Sequence, residues 1–127
     1  MTTNESVFEK ISRDRYLLES EFFFVIDDGF PVSPGHKLIV SKSKKRDFFS
    51  LSQPERQELI ELIEQVKNLA ETSNQPDGYN IGMNCGEAAG QTVMHFHCHV
   101  IPRYRGDMAE PAGGIRHCVS GKGNYTA

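Results

Sequence analysis

The feature that most restricts this chain is the run His95-Phe96-His97-Cys98-His99-Val100-Ile101, in which imidazoles alternate with apolar side chains. Strict alternation suits a half-buried strand, because successive side chains of an extended backbone point to opposite faces. His95, His97 and His99 therefore share one face, and Phe96, Cys98 and Val100 share the other. The second face is apolar enough to be core. Alternate side chains on a strand stand roughly 6.5 to 7 Å apart, so three imidazoles in a row can lie along a chain of phosphates.

The remaining elements are read around this strand, which is predicted over Val93 to Ile101 with Pro102 stopping it. Phe22 to Ile26, aromatic and β-branched, reads as a buried strand. Asp27-Asp28-Gly29 is a turn signal, and Pro31 and Pro34-Gly35 keep the connection irregular before a second strand, Lys37 to Ser41. Ser52-Gln53-Pro54-Glu55 is a helix start with a capping box. Leu59, Leu62, Ile63, Val66, Leu69 and Ala70 recur behind it at helical spacing, with Glu58, Glu61, Glu64, Lys67 and Glu71 on the opposite face. A strand over Tyr79 to Asn84 follows, then the Gly-rich loop Gly86 to Gly90. Strands interrupted by one long helix, without βαβ alternation, predict an α+β domain with a mainly antiparallel sheet. A single domain is expected over residues 1–127, with 108–127 a loop or arm-like tail.

Composition narrows the function classes. The 127 residues suffice for one self-supporting core. A net charge of -3 argues against a general nucleic-acid binder, which would carry a basic face. Cys85, Cys98 and Cys118 are odd in number and lack framework spacing, as reduced thiols would be. The stretch Met1 to Glu5 has no basic or apolar leader, and the longest apolar run, Phe22 to Ile26, is too short for a bilayer. A cytoplasmic protein that engages no membrane is expected.

Imidazole suits nucleophilic attack on phosphorus near neutral pH. Its reference pKa of ~6.5 leaves much of it neutral with a free nitrogen lone pair. The attacking ring needs its other nitrogen held as a donor, and neighbouring imidazoles can hydrogen-bond the phosphate oxygens. Gly90-Gln91-Thr92 adds backbone N–H groups close by, and glycine permits close approach of an anion. A chance cluster of core or surface histidines and a zinc site are the competing readings, although no Cys-x-x-Cys or neighbouring carboxylate accompanies the histidines.

The string AGQTVMHFHCHVIPRYRGD (89–107) resembles the histidine triad family, closest to its dinucleoside polyphosphate hydrolase branch, and FPVSPGHKLIV (30–40) is similar to the family's Pro-Gly-His segment. The resemblance runs from about Phe8 to Asp107. It implies a five-stranded antiparallel sheet with one long helix and a shorter one, usually assembled as a homodimer. It implies that His97 is the nucleophile attacking the α-phosphate of a nucleotide to give a nucleotidyl-histidine that water hydrolyses. His95 and His99 would contact phosphate and orient His97, and His36 would buttress the cluster. Asp28 falls where the family places a ribose-binding group, although it also reads as a turn residue. Asn84 and Thr92 fall where the branch carries an amide and a hydroxyl near the phosphates. Gly90 and Gln91 would form the phosphate loop, Gln91 mainly by packing.

The chain also departs from the family. Many bacterial members bind structural zinc through a Cys-x-x-Cys pair and a histidine after the second strand. Here those positions hold Ser6, Glu9 and the run Lys44-Lys45-Arg46, so structural zinc is not expected. No cofactor is required by the resemblance, and a divalent cation such as Mg2+ would enter only with a polyphosphate substrate. A dinucleoside polyphosphate or related nucleotidyl conjugate is the expected substrate. A phosphorylase, a nucleoside phosphoramidase and a nucleotide-binding regulator with negligible turnover are the alternatives.

Overall fold

A computed structural model describes residues 5–125. Met1 to Asn4, part of the stretch read as leaderless, and the last two residues of the expected tail lie outside the described residues. Five strands form one antiparallel sheet in the order β1-β2-β3-β5-β4. They are β1 (Leu18–Glu19), β2 (Phe23–Asp27), β3 (Lys37–Ser41), β4 (Gly78–Gly82) and β5 (His97–Arg103), with the helix α1 (Gln53–Ala70) between β3 and β4. Among the described residues the shorter helical pieces are 3₁₀ turns, the first over Val7–Lys10, so the expected shorter helix is not an α-helix. Among the described residues no helix is long and apolar enough to cross a membrane.

The predicted cap starts α1. The Ser52 side chain accepts from Glu55 N, and Glu55 Oε1 accepts from Ser52 N at 2.6 Å. Leu59, Leu62 and Val66 of its apolar stripe pack on Phe23, Val25, Ile39, Phe96, Cys98 and Val100 to form the main core. Phe24, Ile26, Leu38 and Val40 point through the other side of the sheet, where Phe8 from the first 3₁₀ turn covers them. Both faces of β2 and β3 are therefore apolar. That is why these strands read as continuous hydrophobic runs rather than alternating ones.

The histidine strand departs from its predicted bounds at both ends. It starts at His97, not Val93, because the backbone bends over residues 93–95, where the His95 ring turns into the protein to reach the Ser41 carbonyl. It also runs through Pro102 instead of stopping there. β3 pairs with β5 only as far as Val100, so beyond that residue β5 has no neighbour on that side. The Pro102 carbonyl accepts from Ser33 Oγ at 2.6 Å on the β2–β3 connection. The ring nitrogen of Pro102 faces the same side, where β3 has ended and no ladder donor is needed. β1 has only two residues, too few for any periodic signal. The described part of the tail, 108–125, is irregular apart from the 3₁₀ turn Gly114–Cys118.

Candidate active site

Register places the histidines. His97 stands opposite Val40 and His99 opposite Leu38, and residues directly opposite in an antiparallel pair share a face. The histidine face is therefore continuous with the Phe8–Leu38–Val40 cluster, while Cys98 and Val100 lie under α1. The expected division of the strand into an imidazole face and a core face holds for His97, His99, Phe96, Cys98 and Val100.

His97 is half-buried, and its Nδ1 lies 2.8 Å from the His95 carbonyl oxygen. A carbonyl only accepts, so Nδ1 carries the ring proton and Nε2 keeps its lone pair. The ring is held on two sides. Phe8 packs against it at a centroid distance of 4.9 Å, and His99 stands 5.3 Å away, steeply inclined. Fixed orientation, with Nδ1 held as the donor so that a lone pair can stand on Nε2, is what an attacking imidazole requires.

His99 is fixed by a chain that begins in the β2–β3 connection. Val32 N–H donates to His36 Nδ1 at 3.1 Å, so His36 bears its proton on Nε2. That nitrogen points at His99 Nδ1 (2.9 Å) and Asp28 Oδ2 (3.2 Å). His99 thus accepts at Nδ1 and carries its proton on Nε2. The other Asp28 oxygen accepts from Phe30 N at 2.8 Å, and Asp28 N donates to the His36 carbonyl at 3.0 Å. Burial pushes the His36 imidazole below its ordinary pKa against the opposing pull of Asp28. Burial, then the nearby His97 and His36, push His99 down to about 4. Neutral His99 is a pure hydrogen-bond donor at Nε2.

Asp28, His36 and His99 bring three potential ligand atoms within 4.8 Å of one another. They do not fit a divalent ion. Because Val32 N–H occupies the Nδ1 lone pair of His36, Nε2 holds the proton and has no lone pair for a metal. One shared proton knits the trio together.

His95 departs from what the resemblance implies. Its ring is 1% exposed, with Nε2 at 2.7 Å from the Ser41 carbonyl and Nδ1 at 2.6 Å from Ser6 Oγ. Both nitrogens have protein partners, and burial holds the pKa below its ordinary value. No ring atom is left for a phosphate. His95 orients His97 through its backbone carbonyl instead. Ser6 and Phe8 are the site neighbours that sequence reasoning missed, since neither belongs to a periodic pattern around the histidines.

The β4–β5 connection leaves from Gly82, opposite His99, and returns at His97. Gln91 is its clamp. Buried to 3%, it accepts from Gly86 N at 2.8 Å and donates to the carbonyls of Arg46 (2.6 Å) and Val93 (3.1 Å). Gly90 closes the turn Glu87–Ala89 at φ +93°, a conformation that favours glycine. The expected phosphate donors are partly used within this turn. Gly90 N bonds the Glu87 carbonyl and Gln91 N the Gly86 carbonyl. Thr92 and Asn84 are exposed, and Asn84 Nδ2 lies 4.0 Å from where a β-carbon on Gly90 would stand.

The depressed histidines give a pH dependence of stability with a definite sign. Between the unfolded value near 6.5 and the folded value of about 4 for His99, the unfolded chain binds more protons. Stability therefore falls as pH drops from about 6.5 to about 4.5. Glu19 and Asp107, held down to about 2 by Arg13 and Arg103, act only at lower pH. Urea midpoints measured from pH 7.5 to 4.5 should decline across this window, less steeply in His99→Asn. A flat or rising profile contradicts the buried neutral histidines.

Comparison with known proteins agrees with this arrangement. Residues 9–106 match the HIT domain family. The chain is 32% identical to the AP-4-A phosphorylase of Mycobacterium tuberculosis over 61% of its length and 40% of that protein. It is 28% identical to the bis(5'-adenosyl)-triphosphatase of Saccharomyces cerevisiae over 72% of its length and 45% of that protein. It spans about three-fifths of the more similar, uncharacterised HIT-like relatives. A HIT family protein of Bacillus anthracis superposes with a TM-score of 0.75 at 33% identity, covering 84% of this chain and 78% of the other. With the fold, the histidine face and the family match in agreement, this chain belongs to the HIT domain family.

Proposed function

We propose that this protein hydrolyses a dinucleoside polyphosphate or a related nucleotidyl conjugate through a nucleotidyl-His97 intermediate. The observation that carries the reading is the His97 tautomer. The His95 carbonyl holds Nδ1–H and leaves the Nε2 lone pair for the α-phosphorus. As the N–P bond forms, the bond from phosphorus to the leaving phosphate oxygen breaks. The His97 ring becomes cationic, and the same carbonyl stabilises its Nδ1–H. Neutral His99 donates from Nε2 to a phosphate oxygen. Water then attacks phosphorus, the N–P bond breaks, and a nucleoside monophosphate leaves with His97 restored.

Supporting roles follow from the geometry. His36 holds the His99 tautomer. Asp28 has one oxygen on the backbone and the other beside His36, half-buried at the edge of the site, where it can accept from a ribose hydroxyl. Gln91 keeps the loop in shape, and the exposed Gly90, Asn84 and Thr92 are the residues this reading assigns to the phosphate chain. No metal is assigned to catalysis, and Mg2+ enters only as a companion of polyphosphate. Phosphorolysis differs only in which nucleophile resolves the intermediate, and the M. tuberculosis relative is named for that activity.

A substrate panel tests this reading. It comprises diadenosine tri- and tetraphosphate, adenosine phosphoramidate and adenylyl sulfate, each with and without inorganic phosphate. Turnover of a dinucleoside polyphosphate without phosphate is expected, and His97→Ala should lower kcat by more than about 1,000-fold. Full activity in His97→Ala would sink the mechanism. A strict need for phosphate would identify a phosphorylase, and tight AMP binding without turnover a regulator.

The same reading includes a homodimer. β4 is an edge strand whose Ile81 is 45% exposed, and Ile60 of α1 is 64% exposed on the rim of the same surface groove. An uncovered edge carrying apolar side chains favours pairing with a second copy. Sedimentation velocity should find a dimer at micromolar concentration and a monomer for Ile81→Asp. A monomeric parent protein would contradict this assembly.

A further inference from the structure

We infer that Ser6 is a positioning residue for His97, acting through His95. The inference deepens the reading above and rests on it for the reaction concerned. Ser6 lies 89 positions before His95 in sequence and is nearly as buried, at 9% exposure. It begins the 3₁₀ turn Val7–Lys10.

His95 Nε2–H donates to the Ser41 carbonyl at 2.7 Å, so its Nδ1 is an acceptor that needs a donor. The Ser6 hydroxyl, 2.6 Å away, supplies it. The ring is thereby tied at both ends, and the main chain that carries it is fixed with it. That main chain ends in the carbonyl that receives His97 Nδ1–H at 2.8 Å. The sequence of contacts is therefore Ser6 hydroxyl, His95 ring, His95 carbonyl and His97 ring.

Two further observations keep Ser6 in place and join the same turn to His97. Ser6 N donates to Glu9 Oε1 at 2.8 Å, Glu9 N donates to the Ser6 carbonyl at 3.1 Å, and Lys44 Nζ approaches Glu9 at 4.0 Å. Phe8 meets His95 edge-on at 5.6 Å and leans on His97 at 4.9 Å. One short turn thus supplies both the proton donor for His95 and the wall beside His97.

Without the hydroxyl, His95 Nδ1 becomes a buried acceptor with no partner. The ring must then take up a second proton in an apolar setting, rotate, or admit water. Rotation or water entry shifts the carbonyl on which the His97 tautomer depends. A hydrogen bond that only anchored the N-terminal segment would alter stability and leave that tautomer alone.

The test compares the full-length parent, Ser6→Ala and Ser6→Thr, each labelled with 15N-histidine. Long-range proton–nitrogen spectra read the His97 tautomer. The parent should give one Nδ1–H form, Ser6→Ala a mixture, and Ser6→Thr the parent signal again. In parallel, kcat of Ser6→Ala should fall about 10-fold with KM within about twofold, and Ser6→Thr should recover it. Ser6→Ala with the parent's tautomer and kcat would overturn the inference. So would equal losses in both variants that follow their melting temperatures. If the parent turns over nothing on the substrate panel, the proposed reaction fails, while the spectra still decide the role of Ser6.

Discussion

The hydrogen bond from His97 Nδ1 to the His95 carbonyl is the contact on which the site depends, because it decides which nitrogen of His97 faces a substrate. A free imidazole exchanges its proton between two nitrogens, and a nucleophile in the wrong tautomer presents a donor where a lone pair is needed. Here a main-chain oxygen fixes the choice. A backbone acceptor has no protonation state of its own, so the tautomer does not vary with the titration of a neighbouring carboxylate. In the proposed reaction the same carbonyl dipole lies beside the positive charge of the nucleotidylated ring.

Around this bond, the fold keeps every neighbouring imidazole neutral. His36, His95 and His99 are all pushed below their ordinary pKa by burial, and each is given a definite tautomer, His36 by the Val32 amide, His95 by the Ser41 carbonyl and Ser6 hydroxyl, and His99 by the His36 ring. The sheet makes this burial possible. β3, between β2 and β5, is apolar on both faces, so the histidines meet Leu38, Val40 and Phe8 on one side while Cys98 and Val100 meet α1 on the other. Asp28 brings a carboxylate to the His36–His99 pair, and it reaches His36 more closely than His99, 3.2 Å against 3.8 Å.

Much of this was legible in the sequence. The His-Phe-His-Cys-His alternation fixes which residues share a face, and the Ser52–Glu55 box and its leucine stripe fix α1. The partnership of His36 with the triad came from the resemblance, and the His36–His99 bond agrees with it. What escaped has a common physical cause. The role of His95 depends on where its ring turns before the strand has begun, and alternation carries no information about that. Ser6 and Phe8 act across a separation of about ninety residues, which no local spacing encodes. Gln91 could be placed in the loop, but its inward clamp follows from carbonyls at Arg46 and Val93 that only the folded chain brings together. Pro102 misled because a strand-breaking residue is harmless where the neighbouring strand has already ended.

The proposed reaction requires Nε2 of His97 to become covalently attached to a nucleotidyl group during turnover. The most direct measurement is rapid acid-free quenching of the protein with diadenosine triphosphate, followed by intact-mass analysis and peptide mapping. An adenylyl adduct is expected that forms and decays at the rate of turnover, maps to His97 and is absent from His97→Ala. Steady turnover with no protein-bound nucleotide, or an adduct on any other residue, would contradict it.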